Sequence, residues 1–340
     1  NLYMKKRRSI KSAAVLLAAA LVCLFSVFAL AACGAPDGGE TFETVPVLQD
    51  TRGTEAETAT FTTLNGDSVT YNKNTRRIVA LSGAGDLAAF GIRPLAVMAD
   101  QATMSAYPGF FDGVDTLSYT QPFNVEEIAT YEPELILVYQ LMDDSQISRL
   151  EAIAPVIPLY RESFDFRQRL GYIGDIFGLE ENAETLINYA EGIQAEAVDR
   201  VEAMGLEGKT VSVFYYAEGI SIPPGDSWYF NKIIYDSLGM NRPAAAEEFL
   251  ANSQNNPFTP ISNESVRNFE GDVVIYVDLY SINGQPSMSE ALMANPGWQS
   301  LKAYQEDRIG LLDAMLYAEK DVLYLAAQYN GLIEAFEKAV

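Results

Sequence analysis

A proline-free stretch with helical periodicity lies in the middle of the chain, between two blocks in which strand and helix patterns alternate. From residue 164 to about residue 204, apolar side chains recur at helical spacing, with a brief break at residues 178–180. On both sides, short apolar runs are separated by helical stretches, which is typical of a parallel sheet covered by helices. We therefore predict an α/β fold with two α/β lobes joined by one long helix and a ligand cleft between the lobes.

The same patterns place the boundaries of the predicted domains. The N-terminal α/β lobe spans residues 59–163, the interdomain helix spans residues 164–205 and the C-terminal α/β lobe spans residues 206–340. Each lobe is long enough to bury a core of its own. Because a helix is stiffer than a pair of crossing strands, we expect only a small hinge motion between the lobes.

The N-terminus has the layout of a secretory signal peptide over residues 1–33. A basic segment, MKKRRSIK, precedes an apolar run that ends in Leu30-Ala31-Ala32-Cys33. These four residues resemble the lipobox of bacterial lipoproteins, so we expect lipidation of Cys33 and an anchor at the outer face of the cell membrane. A transmembrane anchor is the alternative, because the run is just long enough to span a bilayer. Residues 34–58 are rich in Gly, Thr, Pro and acid, which predicts a flexible tether.

Charge and residue usage exclude several classes of function. The chain carries 23 basic and 46 acidic residues, a formal net charge of −23, which repels nucleic acids. Histidine is absent, and with it the commonest general base and the commonest ligand of zinc and haem. The two cysteines, Cys23 and Cys33, both lie in the N-terminal segment, so a disulfide framework is unsupported. We expect no resident cofactor and no metal site.

One glycine-rich turn leaves an enzyme as an alternative. Ser82-Gly83-Ala84-Gly85-Asp86-Leu87-Ala88 follows a predicted strand and opens a helix, which is a weak match to the dinucleotide fingerprint. Asp86 would put a negative charge where the pyrophosphate should bind, and a plain strand-to-helix turn explains the same residues. Paired carboxylates elsewhere are typical of solvated helix starts. We therefore expect a binding protein rather than an enzyme, with a nucleotide-dependent α/β enzyme as the alternative.

Aromatic side chains follow many of the predicted strands. Ligands of open α/β sheets bind outside the carboxyl ends of the strands, and an aromatic-lined cleft with few charges suits a bulky, partly apolar ligand. Each of these side chains could instead pack a loop. The ligand-binding candidates are Tyr119, Tyr139, Gln140, Tyr160, Arg161, Tyr215, Tyr216, Trp228, Tyr280, Met315 and Tyr317.

Several segments, taken in their order and spacing, resemble one known family. They are residues 76–81, 90–94, 124–128, 131–136, 150–155 and 296–303, together with the spacing of Leu170-Gly171 and Phe177-Gly178 and the lipobox. From about residue 60 to the C-terminus, the chain resembles the substrate-binding lipoproteins of bacterial ABC importers for ferric siderophores, haem and cobalamin. The resemblance implies two α/β lobes, one rigid connecting helix and a ligand in the cleft.

The resemblance also implies partners. In that family one glutamate on each lobe docks into arginine pockets of the permease, and Glu126 and Glu264 match the two positions. Two such carboxylates would fix the register of a basic partner, although either could be an ordinary acid at a helix start. We expect a monomer that binds a small-molecule metal chelate and the transmembrane subunits of an ABC permease, and that binds no nucleic acid.

The sequence departs from the family pattern where anionic siderophores would be bound. Residues 117–124 contain no basic residue, whereas family members that take anionic siderophores tend to carry one there; Arg161 and Arg167 are the nearest candidates. The resemblance therefore implies capture of an Fe(III)–siderophore complex of the neutral or cationic hydroxamate type. Cobalamin or haem is the alternative ligand, haem only through Tyr or Met ligation. A surface adhesin that has lost transport is a further alternative.

Overall fold

The computed structural model describes residues 41–98, 109–118, 124–139, 142–159, 164–223, 228–252, 260–281, 284–318 and 320–340. Residues 41–340 form one unit of the chain, and residues 1–40 are assigned to another, which lies outside the described residues. The predicted signal peptide and Cys33 therefore lie outside them as well. Among the helices of the described ranges, none is both long enough and apolar enough to cross a membrane.

The N-terminal lobe contains a β-hairpin and a five-stranded parallel sheet. The hairpin pairs β1 (Thr58–Thr62) with β2 (Ser68–Asn72). The sheet strands are β3 (Ile78–Ala80), β4 (Ala96–Val97), β5 (Asp115–Thr116), β6 (Leu135–Val138) and β7 (Val156–Pro158), in the order β5-β4-β3-β6-β7. The helices of this lobe are α1 (Ala84–Ala89), α2 (Val125–Thr130) and α3 (Asp144–Glu151). Strands β3, β6 and β7 are buried at every position, as expected where helices cover both faces of a parallel sheet.

Two helices that fold back on each other follow the first lobe. They are α4 (Phe166–Phe177) and α5 (Glu180–Ala203). Gly178 ends α4 with a φ of 65°, in the left-handed region that favours glycine. Arg167, near the start of α4, lies 2.6 Å from Glu191 in the middle of α5 (Nε to Oε1), so the two helices are antiparallel. The helical segment predicted over residues 164–205 is therefore not one continuous helix, and the 24-residue α5 is its long element.

The C-terminal lobe is built on a four-stranded sheet. Its strands are β8 (Val211–Tyr216), β9 (Ile220–Ser221), β10 (Val273–Asp278) and β11 (Ile309–Asp313), in the order β11-β10-β8-β9, with only β9 antiparallel. Its helices are α6 (Tyr229–Asn231), which continues as a π-helical turn over Lys232–Ser237, α7 (Ala244–Asn252), α8 (Glu290–Met293), α9 (Pro296–Gln299), α10 (Lys302–Gln305) and α11 (Leu325–Ala339). Short 3₁₀ turns occupy Val266–Phe269, Ala314–Tyr317 and Val322–Tyr324.

The predicted architecture of two α/β lobes is confirmed, and one hydrophobic core runs through both of them. Buried Ile78 of the first lobe, Leu186 of α5 and Phe336 of the second lobe belong to a single cluster of packed side chains. Since this core passes through the connecting helices without a break, a large rotation of one lobe against the other would expose apolar surface. The continuous core therefore favours the small hinge motion that we expect.

Residues 41–57 differ from the predicted flexible tether, because buried side chains such as Phe42, Val45 and Arg52 pack part of this segment on the body of the protein. Phe42 is buried against Tyr329 of α11, with the Arg200 guanidinium of α5 lying 4.1 Å from its ring centre. Further along, the Leu48 amide donates to the Ala89 carbonyl of α1 (2.8 Å). Gly91 permits this approach, since a Cβ there would lie 2.2 Å from the Leu48 carbonyl oxygen. We call residues 41–50 the strap, because they contact helices of both lobes.

Candidate functional site

Exposed apolar side chains mark the carboxyl ends of the central strands. Seven large hydrophobic residues in the described ranges are substantially exposed, and three of them lie one or two residues after the end of a parallel strand. Tyr139 follows β6 and is 37% exposed, Tyr280 follows β10 and is 77% exposed, and Met315 follows β11 and is 44% exposed. Ligands of open α/β sheets bind at this edge. We call these three residues the mouth; all three are among the predicted ligand-binding residues.

A row of stacked rings lies at the same edge of the C-terminal sheet. Tyr215, the penultimate residue of β8, stacks on Trp228 with ring centres 5.4 Å apart and an angle of 27° between the rings. Trp228 in turn contacts Phe230 edge-on at 5.5 Å, and Phe230 contacts Tyr317 at 5.9 Å. We call these four residues the aromatic wall. Trp228 is its half-buried member, so it is the one that can contact a ligand.

Of the predicted ligand-binding tyrosines, Tyr215 and Tyr317 lie in the core, and Tyr216 is half-buried. Tyr317 is buried, its hydroxyl donates to the Gln328 carbonyl (2.7 Å), and burial raises its pKa well above the usual value. Tyr215 is 1% exposed, and burial raises its pKa although Ser221 bonds to its hydroxyl. Tyr216 packs against a different cluster from Tyr215, because neighbouring residues of a strand point to opposite faces. Tyr215 and Tyr317 therefore support the aromatic wall from the core, and Tyr216 lies on the opposite face of the sheet.

Two aspartates that the sequence analysis missed hold the mouth loops in place. Asp278 and Asp313 are paired residues at the ends of β10 and β11. Asp278 accepts hydrogen bonds from the amides of Tyr280 (3.0 Å) and Ser287 (2.9 Å), and Asp313 accepts one from the amide of Met315 (2.9 Å) and another from the Ser281 hydroxyl. Both follow one pattern, an aspartate at the strand end that accepts from the amide two residues on. The repeated spacing Asp-x-Tyr and Asp-x-Met was the available signal.

Four predicted ligand-binding residues, Tyr119, Gln140, Tyr160 and Arg161, lie outside the described residues and stay predictions. Arg167, the other basic candidate near the hinge, is already engaged by carboxylates of its own chain. Its side chain pairs with Glu191 and lies 3.8 Å from Asp165. Within the described ranges, no three His, Cys, Asp or Glu side chains are grouped so that they could hold a metal ion.

The glycine-rich turn before α1 forms a contact between the lobes. The Asp86 carboxylate is fully buried and accepts hydrogen bonds from Arg169 Nε of α4 (3.0 Å) and from the Val322 amide of the C-terminal lobe (2.8 Å). Arg169 also donates to the Lys320 carbonyl. Gly85 faces the Asp321 carboxylate so closely that a Cβ would lie 2.1 Å from it. We call Asp86, Arg169 and residues 320–322 the interlobe joint.

The joint leaves no room for a nucleotide at this turn. A pyrophosphate binds where helix amides are free and the local charge is positive, whereas α1 is six residues long and its first turn meets the carboxylate of Asp321. Asp86 adds a second negative charge. The glycine-rich sequence is therefore explained by close packing between lobes, and the alternative of a nucleotide-dependent enzyme loses its proposed site.

The two predicted docking glutamates are exposed, one on each lobe. Glu126 lies in the first turn of α2, which Asn124 caps by accepting from the Glu127 amide (3.2 Å), and its side chain is 3.9 Å from Arg149. Glu264 lies on a turn ahead of the Val266–Phe269 3₁₀ segment and is exposed as well. The carboxylates at both predicted positions are thus accessible to solvent.

Comparison with known proteins places this architecture in a family. The model of the periplasmic binding protein family matches residues 69–316, which is well over half of the chain. The iron(3+)-hydroxamate-binding protein FhuD of Bacillus subtilis (strain 168) is 26% identical over 326 residues, covering 95% of this chain and 98% of the relative. The probable siderophore-binding lipoprotein YfiY of the same organism is 25% identical over 307 residues, covering 87% and 90%.

A solved structure agrees with the family assignment at the level of the fold. A FhuD fold-family protein of Bacillus subtilis, the periplasmic binding protein component of a Fep/Fec-like ferrichrome ABC transporter, superposes with a TM-score of 0.65. It shares 23% identity, and the superposition covers 81% of this chain and 99% of that one. Two α/β lobes, exposed apolar side chains at the carboxyl ends of their strands and a family match over residues 69–316 lead to one conclusion: the chain belongs to the periplasmic binding protein family.

Proposed function

We propose that this periplasmic binding protein captures a ferric siderophore outside the cell, of the hydroxamate type, and acts as a carrier and not as an enzyme. The observation that carries the proposal is the mouth, where Tyr139, Tyr280 and Met315 expose apolar surface at strand ends of both lobes. A metal chelate with an organic shell offers the bulky, partly apolar surface that such side chains bury. The hydroxamate-binding relative, which this chain covers almost completely, supports the ligand class.

The charges near the site favour a neutral or cationic chelate. Asp278 and Asp313 lie directly behind the mouth loops, and Arg167 is occupied by Glu191. A triply anionic catecholate complex would meet carboxylates without a free cation among these groups, and like charges close together raise the free energy of binding. Cobalamin remains the alternative ligand, since it too is bulky and uncharged over most of its surface; haem would need a tyrosine or methionine ligand.

Tryptophan fluorescence tests the ligand directly. The chain has two tryptophans: Trp228 in the aromatic wall, and Trp298, which is fully buried against Phe214 and Tyr276 in a separate cluster. We expect ferrioxamine B, a ferric trihydroxamate, to quench the emission with saturable binding. A ferric catecholate, haem and cobalamin serve as competitors on residues 34–340.

The two tryptophans also supply matched variants. Trp228→Phe should remove most of the quenchable emission, whereas Trp298→Phe should leave the amplitude of quenching nearly unchanged, because Trp298 lies on the other face of the sheet. If none of the four chelates binds saturably, the transport proposal is wrong. If cobalamin or haem binds and ferrioxamine B does not, the alternative ligand replaces the hydroxamate.

We also propose that the loaded protein delivers its chelate to an ABC permease, with Glu126 and Glu264 as the docking carboxylates. Charge reversal at both positions should abolish iron uptake by cells and leave the affinity for the chelate nearly unchanged, because neither residue lies at the mouth. A loss of affinity in the double variant would contradict the docking role. The protein is expected to be monomeric in this cycle, which size-exclusion chromatography can check.

Lipidation of Cys33 is the proposed means of retention at the outer face of the membrane. A lipobox cysteine that carries two or more acyl chains holds a protein at a bilayer stably, and a siderophore-binding relative is named as a lipoprotein. Cys33→Ala should release a protein that still binds the chelate. A variant that stays in the membrane fraction would restore the transmembrane-anchor alternative.

A further inference from the structure

The turn that carries Glu264 is braced from below by α9. Gly297, in the first turn of α9, faces the backbone of Asn263, the residue that precedes Glu264. A Cβ on Gly297 would lie 2.6 Å from the Asn263 carbonyl oxygen and 2.9 Å from its Cα. Folded proteins do not contain contacts this short, so any side chain at position 297 must displace the turn. Helix α9 and the turn are thus in direct backbone contact.

One amide side chain joins the same two elements. Asn295 Oδ1 accepts hydrogen bonds from the amides of Gly297 (2.8 Å) and Trp298 (3.2 Å), which begins the helix. Its Nδ2 donates to Asn263 Oδ1 (2.9 Å). Since Trp298 is fully buried against Phe214, α9 is fixed to the core of the lobe. Through its hydrogen bond to Asn263, Asn295 therefore attaches the turn to an element that is fixed in the core.

The turn is also held at both ends. Ile261 precedes it, is buried and donates its amide to the Ile220 carbonyl of β9 (2.8 Å), and Val266 follows it and is fully buried. Between them, the Ser265 amide and hydroxyl both donate to the Ser262 carbonyl (3.0 and 2.9 Å). Glu264 is the exposed residue at the crest, and within the described ranges it forms no ion pair. Its counterpart on the other lobe, Glu126, is 3.9 Å from Arg149.

We propose that Asn295 and Gly297 are positioning residues for Glu264, which they hold ready for a cationic pocket on a membrane permease. The inference rests on the proposed function, in which the loaded protein docks on such a permease. A braced turn loses little conformational freedom on association, and each side chain that needs no ordering lowers the cost of binding. A fixed carboxylate also sets the register of the complex. Asn295 and Gly297 would thus act on docking without touching the partner.

The test is iron uptake from ferrioxamine B by cells whose only copy of the gene encodes the variant. We expect Glu264→Gln to lower the initial rate at least about tenfold, since a charged docking contact is lost. Gly297→Ala should lower it about three- to tenfold, the range that ordering one or two side chains costs. Asn263→Ala, which keeps the cap of α9 and removes the bridging acceptor, should have a smaller effect of about two- to threefold and serves if Gly297→Ala does not fold.

The decisive comparison is the double variant. If Gly297 acts through Glu264, Gly297→Ala lowers uptake no further in the Glu264→Gln background, whereas a role in stability alone would lower uptake equally in both backgrounds. Gly192→Ala, at an exposed glycine of α5 with open space around it, is the matched control and should be neutral. Affinity for ferrioxamine B should be unchanged in all variants.

Four results would overturn the inference. Equal losses in the two backgrounds, or normal uptake by Gly297→Ala and Asn263→Ala, would remove the positioning role and leave the proposed function intact. Normal uptake by Glu264→Gln would remove the docking role on this lobe. Failure of the unmodified protein to bind ferrioxamine B and to support its uptake would contradict the proposed function itself, on which the inference depends.

Discussion

The interlobe joint and the aromatic wall are both largely buried, but they are built from opposite chemistry. The joint contains the ion pair of Asp86 and Arg169, in which neither side chain is more than 2% exposed. The wall, from Tyr215 to Tyr317, consists of rings in edge-on and stacked contact. Removing one partner of a buried ion pair lowers stability strongly, whereas changing one contact between packed rings lowers it moderately. The joint is therefore suited to fixing the lobes, and the wall to accommodating a ligand.

The two regions meet at one short helix. Tyr229 lies between Trp228 and Phe230 of the wall, and its hydroxyl contacts Arg169 of the joint; burial raises the pKa of this tyrosine although the guanidinium beside it acts in the other direction. Wall and joint are thus connected through α6, which Trp228 precedes and in which Tyr229 contacts Arg169. Trp228 is followed directly by Tyr229, which is bonded to Arg169. We therefore expect the joint to limit how far Trp228 moves when a ligand binds.

Breaking the joint should have the largest effect on stability. Asp86→Asn keeps an acceptor for the Val322 amide and removes the charge that Arg169 faces. Removing one partner of a buried ion pair costs about 3–5 kcal/mol of the free energy of unfolding. Urea unfolding followed by circular dichroism at neutral pH measures this loss.

The double variant separates a coupled pair from two independent defects. Replacing both members of the pair at once, in Asp86→Asn with Arg169→Met, should recover more than half of the lost stability. If the double variant is as unstable as the sum of the single variants, Asp86 and Arg169 do not act as a pair and the contrast with the wall fails.

Alkaline pH probes the tyrosines on the joint side. Burial raises the pKa of Tyr71 and of Tyr172 to about 12; the Tyr71 hydroxyl donates to the Ile176 carbonyl of α4 (2.5 Å), the helix that carries Arg169. Because the unfolded tyrosine ionises near pH 10, the unfolded state releases its protons first and stability falls as pH rises from about 10 to 12. Below pH 10 both states are protonated and the groups contribute no pH dependence.

Urea midpoints between pH 8 and 12 test this expectation. At pH 11 each of the two tyrosines should lower the free energy of unfolding by about 1.4 kcal/mol. Tyr71→Phe and Tyr172→Phe should each flatten the decline, because phenylalanine has no proton to lose. A decline of the same slope in both variants would assign the alkaline transition to other groups.

The sequence predicted the lobes better than it predicted which side chains face the cleft. Short apolar runs separated by helical stretches are enough to indicate parallel sheets, and those strands are buried as expected. The sequence did not predict that α4 folds back on α5. A Gly-Leu interruption in a helical pattern is compatible with a kinked helix and with a reversal of the chain. The left-handed φ of Gly178 ends α4 and distinguishes the two.

Tyr317 and the strap show why contacts between distant residues limit such prediction. The sequence does not show whether a tyrosine after a strand is exposed or buried. Tyr317 is buried, and its hydroxyl donates to the carbonyl of Gln328, eleven residues later. Residues 41–50 look like a tether because they have no period, yet Phe42 is buried by α11, nearly three hundred residues later in the chain. Neither partner can be inferred from local composition.

Substitutions at the mouth are expected to change ligand affinity and to leave stability nearly unchanged. Tyr280 is 77% exposed, so Tyr280→Ala should change the free energy of unfolding by no more than about 0.5 kcal/mol and should weaken ferrioxamine B about tenfold, as loss of an aromatic contact does. Tyr189→Ala, at an exposed tyrosine on α5 away from the strand ends, is the matched control. Equal affinities of the two variants would remove Tyr280 from the site.

The smallest effect is expected at Arg167, two residues before Arg169 on the same helix. Both arginines face carboxylates, but the side chain of Arg167 is 41% exposed and that of Arg169 is 2% exposed. An exposed ion pair contributes about 0.2–1 kcal/mol, so Arg167→Gln should lower the urea midpoint only slightly, and less at high salt, which screens the pair. Binding of ferrioxamine B should be unaffected, because Glu191 already occupies the guanidinium. A large loss of affinity for a ferric catecholate in this variant would instead mean that Arg167 leaves Glu191 and binds the anionic ligand. Arg167 would then be a ligand-binding residue, although it lies on the same helix as Arg169 of the joint.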